Sequence, residues 1–249
     1  LSTDDIDRGE ENPQSGGNDI AALITQTQRR VWKALKRLHD YDSSFEAGRE
    51  YLLNHSSSKV RLIIMCVDLV GSTNMSMTLP VDKLVTIIRA FSNEVTTVIR
   101  SHGGYVLKYV GDAVIAFFPS SSNRIAGCTN SVKCGRAILS VIKNGINPIL
   151  NQYDYPELSV KIGIDEGENV VVLYGQDRSS LVDILGYCIS ITSKITSVTE
   201  ADRITVGEDV YFALDPTLRG RFYEATPKVD EWNYTNRTTG NLYKLFAMS

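Results

Sequence analysis

Residues 103–118, GGYVLKYVGDAVIAFF, read as two apolar strands joined by a tight bend at Val110-Gly111-Asp112. Glycine and aspartate between β-branched and aromatic runs are the usual signal of a hairpin. Two residues sit oddly in it. Lys108 stands in mid-strand, and strict alternation puts Val106, Lys108 and Val110 on one face. A lysine among valines needs a partner or a ligand unless it snorkels to the surface. Asp112 stands at the bend itself.

On either side of the hairpin, strand and helix patterns alternate. VRLIIMCVDLV (60–70) is a buried strand with a carboxylate, Asp68, near its C-terminal end. Residues 80–101 form a helix whose Leu84, Ile87, Ile88, Phe91, Val95 and Val98 share a face. Residues 120–144 make a second helix. LSVKIGIDEGENVVVLYG (158–175) reads as strand, turn around Asp165 to Asn169, and strand. Residues 184–199 read as a third helix, ADRITVG as a short strand and Glu208 to Ala213 as a helical turn, with strands near 221–225 and 241–246. The order β-α-β-β-α-β predicts an α+β fold with a ferredoxin-like split βαβ core and C-terminal additions.

Three segments are expected along the chain. Residues 1–18 are acidic and rich in Gly, Ser and Asn, a flexible tail. Residues 19–57 form an amphipathic helical stalk and linker, with Asp19 as N-cap and Ile20, Ile24, Thr27, Val31, Leu35, Leu38, Tyr41 and Phe45 on one stripe. Two readings of that helix stand: it docks on its own domain, or it is a dimer stalk coupling an upstream module. Residues 58–249 form the main α+β domain. The chain begins at Leu1, which leaves room for an upstream sensor.

The 249 residues suffice to bury a core. An apolar fraction of 43% and a net charge of −3 are those of an ordinary globular protein, not of a surface built for nucleic-acid phosphates. No 18-residue apolar run exists, so no membrane contact is expected from this segment. Cys66, Cys128, Cys134 and Cys188 form no CxxC pair and read as free thiols in a reducing, cytoplasmic compartment.

In the split βαβ order the strand ending at Asp68 lies beside the hairpin, so Asp112 can approach Asp68. Two such carboxylates repel unless a cation lies between them. Oxygen ligands near a triphosphate suit Mg²⁺ or Mn²⁺, two ions of which would activate a hydroxyl and stabilise a leaving phosphate. The plainer reading is two turn aspartates that never meet. Gly71 lets the backbone come close, so the amides of Gly71, Ser72 and Thr73 are candidate phosphate ligands, although VGST lacks the Gly-Lys ending of a P-loop.

DLVGST, HGGYVLKYVGDAVIAFF, KIGIDEGENVVVLYG and DILGYCISITSKI, in this order, resemble the class III nucleotidyl cyclases, the adenylyl and guanylyl cyclases. The resemblance spans about residues 58–249. It implies that Asp68, Asp112 and the carbonyl of Leu69 bind two metal ions, and that Lys108 and Asp183 read a base, in a combination that favours ATP. It implies conversion of a nucleoside triphosphate to a 3′,5′-cyclic monophosphate and pyrophosphate, in a homodimer with active sites at the interface. Arg237, ahead of Gly240-Asn241-Leu242, falls where the family keeps a basic residue for the terminal phosphates; an exposed loop arginine is the alternative.

Two positions depart from that pattern. Ser190 stands where the family has a ribose-positioning asparagine, and Lys194 where it has the arginine that stabilises the pentavalent phosphorus. The i, i+4 spacing and the positive charge survive, but the planar fork does not. The departures fit slow turnover, another base preference (GTP or a pyrimidine triphosphate), or a nucleotide-binding domain that no longer turns substrate over.

Overall fold

A computed structural model describes residues 15–36, 45–120, 123–175 and 180–249. In chain order it contains α1 (Ser15–Leu35), α2 (Glu46–Leu53), β1 (Lys59–Leu69), α3 (Ser72–Thr78), α4 (Val81–Ser101), β2 (Tyr105–Val110) and β3 (Ala113–Pro119). Then follow α5 (Arg124–Val141), a π-helical turn (Ile142–Ile146), α6 (Asn147–Asn151), β4 (Val160–Tyr174), β5 (Leu181–Leu185) and α7 (Tyr187–Val198). The chain ends with β6 (Arg203–Gly207), α8 (Glu208–Ala213), α9 (Pro216–Arg219), β7 (Phe222–Glu224) and β8 (Leu245–Met248).

The strand order is β2-β3-β1-β4-β6-β8-β7, with β5 paired to the far end of β4. Its first four strands have the expected split βαβ order. β1 is central and buried on both sides, which is why it reads as a continuous apolar run. Ile63, Met65 and Val67 face one core with Phe91 and Val95 of α4 and Val132 and Ile138 of α5. Leu62, Ile64 and Cys66 face a second cluster with Leu52 of α2, Val171 of β4, Ile184 of β5 and Cys188 of α7. The β4–β5 hairpin and α7 therefore cover the outer face of the sheet, and α1, α4 and α5 cover the inner face.

α1 starts at Ser15, four residues before the expected cap, and docks on the domain. Thr27 and Val31 are buried, and Glu94 of α4, itself buried, receives Arg30 Nε and Nη2 at 2.8 and 2.6 Å and Thr27 Oγ1 at 2.8 Å. Of the two readings of this helix, the packing supports docking up to Leu35. Leu38 and Tyr41, like the tail at 1–14, lie outside the described residues.

The turn expected at Asp165 to Asn169 is absent; β4 runs straight through it, paired with Val60–Ile64 of β1. Each polar side chain there has its own partner. Asp165 meets Tyr243, Glu166 meets Arg61 and Arg124, Glu168 meets Lys59, and Asn169 accepts from the Ile189 amide. Tertiary pairing thus overrides turn propensity. Likewise the helix expected from residue 184 begins only at Tyr187, because Leu181–Leu185 pair with Val170–Tyr174. The last strand lies at 245–248, later than the expected 241–246.

Candidate active site

Asp68 lies one residue from the end of β1, on the outer face with Cys66. β3 runs antiparallel to β1 with Val67 opposite Val114, which carries the β2–β3 bend to the same end of the sheet. Gly111 takes a positive φ of 63° at that bend, the left-handed conformation that glycine tolerates. Asp112 follows it. One Asp112 oxygen, Oδ2, is buried with no hydrogen-bond partner among the described residues. Burial raises the Asp68 carboxyl above its usual range, and the charge of Asp112 raises it further. The two expected carboxylates are thus brought into one electrostatic environment.

Asp68 has a second charged neighbour that the sequence reading passed over. Lys161 of β4 stands directly across from it, and its ammonium opposes the upward shift. The signal was there: Lys161 interrupts a buried apolar strand as Lys108 does, and the same test would have found it.

The alternation argument for Lys108 requires correction. Val106 pairs with Ala116 but Lys108 pairs with Ile115, so Leu107 is an extra residue, a β-bulge. The bulge turns Lys108 away from the Val106 face and onto the outer face, where Ile115 packs. There Lys108 Nζ donates to Asp183 Oδ2 at 2.5 Å across 75 positions of sequence. Asp183 lies on β5, in register with Val172, and its other oxygen accepts from the Ile184 amide at 2.8 Å. The carboxylate is fixed from both sides, and the lysine has the partner its setting demanded.

Ser190 and Lys194 are exposed on one side of α7. The Ser190 hydroxyl donates to the Gly186 carbonyl at 3.0 Å. Tyr187, three residues before Ser190, carries Arg237 over its ring, 5.2 Å from the centroid. Gly71 has φ 72° and heads α3; a Cβ there would touch nothing within 4 Å, so this glycine serves the turn and not close packing. Ser72 and Thr73 form the first turn of α3, and the Leu69 side chain is buried in the core.

These residues fall into distinct groups: Asp68, Asp112 and Lys161 at the C-terminal end of β1, Lys108 of β2 with Asp183 of β5, and Ser190 and Lys194 on α7 with Arg237 over its first residue, Tyr187. The carboxylate pair has the character of a hard-cation site: two side chains with oxygen donors, of which Asp112 Oδ2 is buried and unpartnered among the described residues and the Asp68 charge is disfavoured by burial. No group of three His, Cys, Asp or Glu side chains suited to a metal occurs among the described residues.

Residues 55–238 match the family described as the adenylate and guanylate cyclase catalytic domain. The chain belongs to that family. It is 25% identical over 170 residues to a cytidylate cyclase of Escherichia coli, a match covering 63% of this chain and 36% of that protein. The chain therefore spans about a third of that relative. Many solved structures share the fold, among them two cyclases. The guanylyl cyclase Cya2 superposes with a TM-score of 0.66 at 19% identity, covering 78% of this chain and 93% of its own. The adenylyl cyclase CyaB from P. aeruginosa superposes at 0.65 and 19%, covering 77% and 95%. No described helix of this cyclase domain is long and apolar enough to cross a membrane.

Proposed function

We propose that this cyclase domain converts a nucleoside triphosphate whose base sets an exocyclic amine beside a bare ring nitrogen on its Watson–Crick edge, ATP before CTP, to its 3′,5′-cyclic monophosphate and pyrophosphate. The observation that carries the reading is the convergence of Asp68 with Asp112, whose Oδ2 is buried and unpartnered. Asp68, Asp112 and the Leu69 carbonyl would hold Mg²⁺ or Mn²⁺. Ions bound there would supply acidification of the ribose 3′-hydroxyl and neutralisation of the phosphates.

The chain's own groups do the rest. Lys161, across from Asp68, is placed to attract phosphate oxygens, as are the amides at Gly71, Ser72 and Thr73. Lys108 can donate to a ring nitrogen while Asp183 accepts from an exocyclic amine. On their Watson–Crick edges adenine and cytosine each set such an amine beside a bare ring nitrogen, whereas guanine's amine stands beside a ring N–H and uracil has no amine. The pair therefore favours them over guanine and uracil, and the name of the E. coli relative gives CTP its place as second reading. Ser190 would touch the ribose, Lys194 the phosphorus that is attacked, and Arg237 the terminal phosphates. Positioning and charge neutralisation supply the rate.

Two copies would complete each site, one giving Asp68 and Asp112, the other Lys108, Asp183, Ser190 and Lys194. The apolar tips Val110, Leu181 and Leu185, 52%, 68% and 48% exposed around the outer face, support such a pairing. The test is incubation with ATP, CTP, GTP and UTP, with Mg²⁺ and then Mn²⁺, and product identification by mass. Cyclic AMP in excess over other products is expected. Absence of any cyclic nucleotide, with measurable nucleotide binding, would overturn the enzymatic reading and leave a regulatory nucleotide-binding domain.

A further inference from the structure

A third apolar cluster lies apart from the sheet cores. Trp232, buried, packs with Ile191 and Ile195 of α7 and with Tyr243 and Leu245, and its indole N–H donates to the Tyr243 carbonyl at 2.8 Å. This cluster fastens the long segment between β7 and β8 onto α7. Beyond Trp232 the segment closes into a small tip. Thr235 bridges Leu242, the Asn236 amide donates to the Asn241 carbonyl at 2.8 Å, and Asn236 Oδ1 accepts from the amides of Thr238 and Thr239 at 2.8 and 3.0 Å. The Asn236 side-chain amide is also held by Glu208 of α8.

Tyr187 holds this tip in two ways. Its hydroxyl donates to the Thr235 carbonyl at 3.0 Å, and its ring lies under the Arg237 guanidinium. The manner of holding matters. A carboxylate would occupy the N–H edge of the guanidinium and cancel its charge. An aromatic ring takes only the face and leaves the forked N–H edge for a bidentate phosphate contact. Tyr187, Ser190 and Lys194 follow at i, i+3 and i+7, so they share a side of α7. The helix that carries a lysine in place of the expected arginine thus has a guanidinium delivered to its head by another segment.

We propose that Tyr187 is a positioning residue, which seats Arg237 on α7 as a ready-ordered ligand for the terminal phosphates of the bound nucleotide. This rests on the phosphate-binding role given to Arg237 above. An arginine already held loses less rotamer freedom when it meets phosphate.

The test compares the full chain with Tyr187→Leu, Tyr187→Phe and Arg237→Ala, measuring kcat and KM for ATP with Mn²⁺, and the affinities for ATP and AMP. Melting temperatures check that each variant is folded. Tyr187→Leu is expected to raise KM by about two- to five-fold, the worth of one exposed cation–aromatic contact, with the larger effect in KM rather than kcat. Tyr187→Phe, which keeps the ring, should restore most of the loss. Arg237→Ala should weaken ATP by about ten-fold or more and leave AMP unaffected. Tyr187→Leu should add nothing in the Arg237→Ala background. Equal weakening of ATP and AMP by Tyr187→Leu, or additive effects of the two changes, would overturn the proposal. Should the unaltered chain form no cyclic nucleotide, the cyclase reading fails. The ATP-over-AMP preference then still decides this inference, supporting it if Tyr187→Leu lowers that preference and refuting it if not.

Discussion

Asp165, Tyr243 and Asp209 share too few hydrogens for both acids to be ionised. The Tyr243 hydroxyl stands 2.8 Å from an Asp165 oxygen and 3.0 Å from an Asp209 oxygen, and the Asp209 amide points at the same hydroxyl from 3.4 Å. A phenol has one hydrogen to donate. With both carboxyls charged, one of them faces a phenol oxygen with no hydrogen between. Gly207 keeps the space tight: a Cβ there would lie 2.8 Å from both the Asp165 carboxyl carbon and the Tyr243 oxygen. Burial pushes the Asp165 carboxyl well above the usual range, and the charges of Asp209 and Glu166 push the same way against the hydrogen bond from Tyr243. Asp209 is also raised, chiefly by burial, with Tyr243 and Arg124 opposing. Asp165, the more deeply buried, is the expected proton carrier. In the unfolded chain it would titrate near ~3.9. Between that value and its raised folded value, the folded state holds one proton more than the unfolded state. Its contribution to stability is therefore complete below the unfolded value and falls by about 1.4 kcal/mol per pH unit until the folded value is passed. For a domain of this size that is about 3–6 °C in Tm per unit. Asp165→Asn replaces the acid proton with an amide hydrogen and removes the dependence. Melting followed by circular dichroism as the pH is raised from the unfolded value should show the wild-type advantage over Asp165→Asn shrinking at that rate until the folded value is passed, and constant beyond it. The infrared carbonyl band of a protonated carboxyl should be present in the wild type and missing in the variant. Parallel melting profiles, or no such band at any pH at which the domain is folded, would refute the hydrogen count.

Three further outcomes follow from the packing. Gly163→Ala would put a methyl 2.8 Å from the Thr196 amide nitrogen and 2.9 Å from the Thr192 carbonyl, forcing α7 off β4. A loss of about 1–3 kcal/mol in urea unfolding is expected, with cyclisation falling further than stability because α7 carries Ser190 and Lys194; unchanged turnover would contradict that. Glu94→Ala removes the acceptor of Arg30 and Thr27, costing about 1–3 kcal/mol, and limited proteolysis should then cut α1 before the rest of the domain. Ser190→Asn with Lys194→Arg should raise turnover by ~10-fold or more if these are weakened equivalents of the family pair, and an equal or lower rate would show that the site works another way.

What the sequence made legible was what depends on order and short-range pattern. Asp68 and Asp112 were placed together because they end neighbouring strands of a split βαβ unit, a matter of topology. Lys108 was flagged by chemistry and set on the wrong face by counting, because one extra residue, Leu107, is enough to reverse every later side chain. Asp165 to Asn169 looked like a turn because five polar or small residues in a row have no local reason to be a strand. The reasons are distant: Tyr243 is 78 residues from Asp165, and Arg61 is 105 from Glu166. The family resemblance reached the same sites without those partners, since a motif records which residue stands where and not what holds it.

The hydroxyls of α7 sharpen what the departure at Ser190 means. Thr192, Ser193, Thr196 and Thr199 each donate to the carbonyl four residues back, and Ser190 does the same to Gly186. The donor of Ser190 is thus engaged with the backbone, and only its lone pairs face outward. An asparagine at that position would present both an amide donor and an acceptor, at greater reach. Ser190 can therefore accept from a ribose hydroxyl but not donate to the ring oxygen unless it leaves Gly186. Lys194 likewise keeps its charge and lacks a fork. On the proposed reading, the helix would attract a nucleotide with little directional control over it, and orientation would fall to the Lys108–Asp183 pair at one end of the substrate and to Arg237 on Tyr187 at the other.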